Sequence, residues 1–142
     1  MTPHPVIREY YACFNERRLA DAVDLFAHDA VLEHPGLGHA KHGREHYLQL
    51  AQMWARVFPD GQLAVEGVQQ RDDTIYEVDL IGTGTHLGDF NMDGYGTFKA
   101  TGAWATLRFR ELFEIRDGKI AYLGLTLDIH DFVRQLGDPN SL

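Results

Sequence analysis

Eight histidines in 142 residues are the first feature with chemical meaning, and four of them crowd together at His34, His39, His42 and His46. The run His42-Gly43-Arg44-Glu45-His46 matches the H-x-x-E-H pattern of one zinc peptidase class. That chemistry needs both imidazoles on one helix face and further ligands elsewhere. Gly43 falls between them at the expected helix start, so the reading adopted is polar loop and first-turn residues with no metal. Glu111 is more pointed. It alternates with Leu107, Phe109, Phe113 and Ile115 along one strand face, which turns a carboxyl toward apolar surroundings. Burial there disfavours the charged form and raises the pKa; such a group is either a satisfied structural partner or a catalytic acid. His34 follows Glu33 at a strand end and is a candidate general base near neutral pH. Asp128 closes the last strand; it is either a second proton carrier or the N-cap of the tail that follows.

The elements that must position these groups are legible from periodicity. Val6, Tyr10, Cys13 and Phe14 recur at helical steps. Leu19, Val23, Leu25 and Phe26 predict a shorter second helix ended by His28-Asp29, with a short strand over 30–34. A Gly- and His-rich loop follows, up to Gly43. Tyr47, Leu50, Ala51, Trp54, Val57 and Phe58 form a continuous stripe on a third helix over 44–58, ended by Pro59-Asp60-Gly61. Sheet comes next. One strand carries Leu63, Val65 and Val68; after a turn at 71–73, another carries Ile75 to Ile81. A long strand over 103–115 is joined by Asp117-Gly118, a two-residue hairpin signal, to a return strand over 119–128. Ile129 to Leu136 is expected as a short terminal helix. Six glycines between Gly82 and Gly102 lack phosphate-loop spacing and read as bends that curl long strands around a cavity. Helices followed by an antiparallel meander is an α+β pattern.

Composition limits the classes. Hydrophobic residues make up 44% and charged residues 24% of the chain, which excludes disordered, collagenous and disulfide-scaffold proteins. The formal charge is -8, from 13 Lys and Arg against 21 Asp and Glu. With no basic run for a phosphate backbone to follow, a nucleic-acid partner is not expected. Cys13 is the only cysteine. The first residues lack the pattern of a signal peptide, and no apolar run approaches the ~20 residues of a membrane span. The expectation is one cytoplasmic domain over residues 1–142, without membrane contact.

Four segments in order give the chain a family resemblance. They are Asp29-Ala30-Val31-Leu32-Glu33-His34; Phe58-Pro59-Asp60; Gly84-Thr85-His86-Leu87-Gly88; and Phe113-Glu114-Ile115-Arg116-Asp117-Gly118-Lys119-Ile120, followed by Asp128 and Gln135-Leu136-Gly137. In this order they resemble the SnoaL-like polyketide cyclases, or ester cyclases, of the nuclear transport factor 2-like superfamily. The resemblance implies a cone of three N-terminal helices on a strongly curved antiparallel sheet. It implies an enclosed, mostly apolar pocket for a small ligand, no cofactor, and a homo-oligomer, dimer or tetramer, packed through the sheet.

In the cyclases an Asp is the general acid/base of an intramolecular aldol closure, and the D-x6-Q-L-G match places it on Asp128. The related ketosteroid isomerases carry over their pocket Tyr to Tyr10, their base to His34 and their oxyanion-hole acid to Glu111. Trp54, His86, Phe109, Phe113 and Tyr122 are the side chains expected to line the pocket. Which of His34 and Asp128 is the base stays open. Cyclisation, isomerisation and dehydration all fit, and so does a non-catalytic binding or oligomerisation module. The chain departs from the family at Asp79, where many members carry Arg, and at Gly124, where Trp is common.

Overall fold

The computed structural model describes residues 4–34, 40–92 and 95–137. Three helices come first: α1 (Pro5–Asn15), α2 (Leu19–Val23) and, after the first two strands, α3 (Glu45–Val57). α1 begins with proline at its first position, and the His4 imidazole accepts the Val6 amide proton. A fourth helix, α4 (Ile129–Leu136), closes the described chain. Eight strands complete it: β1 (Phe26–Glu33), β2 (Lys41–His42), β3 (Gln62–Gln70), β4 (Ile75–Thr85), β5 (Phe90–Met92), β6 (Gly96–Phe98), β7 (Trp104–Arg116) and β8 (Lys119–Leu127).

Six strands form one sheet in the order β2-β1-β8-β7-β4-β3, and β5 with β6 forms a separate hairpin. The β3-β4-β7-β8 meander is antiparallel. At Asp117-Gly118 both residues have positive φ, 52° and 74°, the mirror-image turn whose twist suits a tight hairpin. β2 and the β5-β6 hairpin lie where the sequence reading has loop and glycine bends, and two further features depart from it. β1 starts at Phe26, so Leu25 and Phe26 leave the second helix, and His28 and Asp29 lie within the strand. β1 also pairs parallel to β8, with Val31 opposite Tyr122, while its other edge holds the short β2.

The alternation expected on β7 is present: Ala105, Leu107, Glu111, Phe113 and Ile115 are buried, and their neighbours mostly face out. Two apolar clusters result. The first packs α1, α2, α3 and the far half of the sheet around Ile7, Tyr10, Phe26, Tyr47, Phe113 and Ile120. The second gathers the β5-β6 hairpin and α4 against the near half, through Phe90, Met92, Phe98, Phe132 and Leu136. Phe109 is half-buried and packs against both clusters. The α4 helix docks by covering the β7 edge where β8 has ended: Asp131 and Gln135 side chains accept the amide protons of Arg108 and Thr106. No helix among the described residues is long and apolar enough to cross a membrane.

Polar clips fix the connections around the sheet's open end. The Asn15 amide makes a paired bond to the Leu63 backbone, at 2.9 and 2.8 Å. Arg17 lays its guanidinium over Phe14 and donates to the carbonyls of Phe58, Pro59 and Gly61, which ties the α3-β3 loop to α1. The Asp60 carboxylate of that loop accepts the Thr85 amide and hydroxyl, both at 2.7 Å.

Candidate active site

Between the two clusters lies a hollow with two lobes that share Phe14, Trp54, Leu63 and Phe109 as lining. One lobe adds Tyr10, Tyr47, Leu80, Glu111 and Leu125. The other adds Phe58, Gly61, Gly82, Gly84, Ala105 and Leu107, with Gln62 and Thr83 as its polar members. Gly82 is needed there: a Cβ at this position would stand 2.9 Å from the Phe109 ring. Mostly apolar walls with a few convergent polar groups are the usual make-up of a small-molecule site.

Glu111 is the charged residue of that site. Strand alternation on β7 points it inward, where it is 6% exposed. Its Oε1 accepts the Tyr11 hydroxyl proton at 2.7 Å. Burial pushes its pKa up to about 7, against the weaker opposing pull of the Tyr11 bond. A carboxyl poised near neutrality can give or take a proton under ordinary conditions. Tyr10, Tyr11 and Tyr47 surround it, with ring centroids of Tyr10 at 5.0 Å from Tyr11 and 5.4 Å from Tyr47. Burial, and then the charge of Glu111, raises the Tyr10 and Tyr11 phenols well above their usual range. Burial raises Tyr47 likewise. All three are therefore neutral hydroxyl donors at any ordinary pH.

Of the residues expected at the site, Tyr10, Glu111, Trp54 and Phe109 come together on this hollow. The others stand elsewhere. Asp128 is exposed at the N-cap of α4, where its Oδ1 accepts the amide protons of His130 and Asp131. Gly137, with φ 87°, ends the same helix, so the D-x6-Q-L-G segment is that helix with its two ends. Replacing Asp128 by Ala should cost about 1 kcal/mol of stability, read as a lower urea midpoint.

His34 is buried, and its Nε2 accepts the Trp54 indole N–H at 3.0 Å. The lone pair a base would use is thus engaged, and burial pushes the imidazole pKa down to about 3. Neutral His34 has little affinity for a further proton, which weighs against the base role. His86 is fully buried beside Phe58 and Phe90, with the Thr101 amide donating to its Nδ1. Phe113 packs in the first cluster against Tyr10 and Tyr11, behind the lining. Tyr122 lies on the sheet face opposite Leu123 and Leu125, its ring over Gly124, where a Cβ would stand 2.5 Å from the Tyr122 hydroxyl. His39 lies outside the described residues; His42 is exposed, and His46 sits 3.8 Å from Glu45.

Tyr11 and Tyr47 were not anticipated. Each is a phenol inside an otherwise apolar helical stripe, and that mismatch, on helices facing the strand of Glu111, is the signal that could have found them.

Helices and hairpin wrapped on one face of a six-stranded sheet, with an acidic group inside, define a ketosteroid isomerase-like architecture. The SnoaL-like domain family matches residues 7–123, and the chain belongs to that family. Among solved structures, it is similar to IdmH, a candidate polyketide cyclase from Streptomyces antibioticus. Identity is 26%, the alignment covers 93% of this chain and 96% of that one, and the TM-score is 0.75. A candidate polyketide cyclase from Pseudomonas putida shares 21% identity over 96% and 98% of the two chains, with a TM-score of 0.75. A protein of ketosteroid isomerase-like fold from Catenulispora acidiphila, solved with trimethylamine, is 14% identical over 97% and 96%, again at 0.75. No curated protein matches this chain in sequence.

Proposed function

We propose that the chain is a cofactor-independent, cyclase-type enzyme that moves a proton alpha to a carbonyl of a small, largely apolar substrate. The observation that carries this is Glu111, held by Tyr11 on the wall of a mostly apolar hollow and tuned to about 7. Ionised Glu111 takes the proton, and the electrons of the broken C–H bond move onto the carbonyl oxygen. Tyr10 and Tyr47, lining the same lobe as neutral phenols, are the donors to that oxygen. Donors fixed where charge develops, in a site that excludes water, are usually the largest catalytic contribution. Glu111 then returns the proton to carbon, or the enolate carbon attacks a second carbonyl of the same substrate, whose C=O electron pair moves onto its oxygen as the ring closes, and Glu111 gives its proton to that alkoxide. Glu111 is the base in this reading, in place of His34 or Asp128. The family and the likeness to IdmH support the cyclase class.

The test uses β-tetralone, a bicyclic ketone with acidic α-protons, in deuterated buffer. Wild-type protein is expected to accelerate exchange of those protons, followed by NMR. The rival reading, a non-catalytic ligand-binding module, is favoured by the absence of Asp128 and a free His34 base from the hollow. It predicts that the ketone binds while exchange stays at the buffer rate.

A homo-oligomer packed through the sheet belongs to the same proposal. The outer face of β7 carries Trp104, 60% exposed, and Leu112, 37% exposed, among its charged neighbours. Sedimentation velocity should give a species larger than the 16.1 kDa chain.

A further inference from the structure

The bond between His34 and Trp54 lies outside the chemistry assigned to Glu111, yet Trp54 is one of four side chains that line both lobes. Its plane is set by Phe58, stacked at 17° with centroids 6.0 Å apart, and by Phe109, whose ring meets it edge-on at 79°. A half-turn of the indole about its Cβ–Cγ bond keeps that plane but carries the N–H to the opposite side. An indole has a single N–H donor, and leaving it unmade in an apolar site is costly. The acceptor at the end of β1 therefore selects one orientation of the ring on α3, across 20 residues of sequence.

We infer that His34 is a positioning residue for Trp54, and that Trp54, so held, is the flat wall that sets the thickness of ligand the hollow admits. The inference rests on the reading of the hollow as the ligand site. A planar conjugated ring system can lie along the indole, whereas a buckled saturated ring of the same skeleton meets it with axial hydrogens. Any side chain that presents an acceptor at position 34 should preserve this selection, and an apolar one should not.

The experiment compares β-naphthol with its saturated counterpart, decalol, on wild type, His34→Gln and His34→Leu. Wild type is expected to favour the planar ligand by about tenfold in Kd, the size of effect that one lost hydrogen bond or poor packing contact produces. Gln, whose side-chain oxygen can accept the indole proton, should keep that preference within about threefold. Leu should lose it. A preference kept in both variants, or lost in both, would overturn the positioning role. The indole N–H resonance of Trp54, read in a Trp104→Phe background, is the second measurement. Its downfield position should persist in Gln and vanish in Leu, and an unchanged resonance in Leu would equally overturn the inference. If wild type binds neither compound, the ligand-site reading fails and the selectivity inference with it. The indole resonance still decides separately whether His34 orients Trp54.

Discussion

Glu111→Gln lowers the rate of α-proton exchange on β-tetralone by about 10²- to 10⁴-fold, the usual contribution of a positioned acid/base group. Gln has nearly the shape of Glu and its oxygen can still accept the Tyr11 hydroxyl, so the loss reports proton transfer and not packing. The pH profile gives an independent reading. Wild-type exchange should rise with pH through an inflection near 7, where Glu111 ionises, and then level off. In the variant that inflection disappears. Binding of β-naphthol should change far less than the rate, because the lining is mostly aromatic and aliphatic. A variant that retains the full rate would remove Glu111 from the mechanism.

The same substitution should stabilise the protein at alkaline pH. Folded Glu111 holds its proton up to about pH 7, whereas the unfolded carboxyl releases it near 4.5. Between those values the folded state binds more protons than the unfolded one, so stability falls as pH rises through this window. The penalty is absent below 4.5, fully developed above 7, and about 3 kcal/mol in size. Urea denaturation of wild type should therefore show a midpoint that declines between pH 4.5 and 7 from this group. Glu111→Gln, uncharged throughout, should gain up to about 3 kcal/mol over wild type at pH 8 and little at pH 4. Equal pH dependence in both proteins would show that Glu111 is not desolvated. A residue that stabilises the fold when it is disabled is what a functional site costs its host.

How much of this could be read in advance depended on what each residue's neighbours in sequence could specify. The α1 and α3 stripes, the Asp117-Gly118 hairpin and α4 are local patterns, and they appear where periodicity and turn chemistry put them. Glu111 was legible because strand alternation alone decides which way it faces. Leu25 and Phe26 misled, since their spacing from Val23 continues a helix while Phe26 in fact opens β1. The parallel pairing of β1 with β8 had no local signal at all, for it joins segments about ninety residues apart in sequence. His34 and Asp128 show the other limit. Residue type states that each has a lone pair to offer, but only the packed chain says that one already holds an indole proton and the other two amide protons.

The hollow lies on the seam where two separately packed aromatic clusters meet, bridged through Phe109. This divides evolvability from durability. Phe90 of β5 touches Trp54 and Phe132 of α4 touches Phe109, so substitutions in the hairpin or α4 act on the hollow through those two rings, while the tyrosines around Glu111 pack in the other cluster. A fold with its buried carboxyl beside one cluster and its far wall resting on the other can change the shape of the space next to that carboxyl without disturbing the phenols around it.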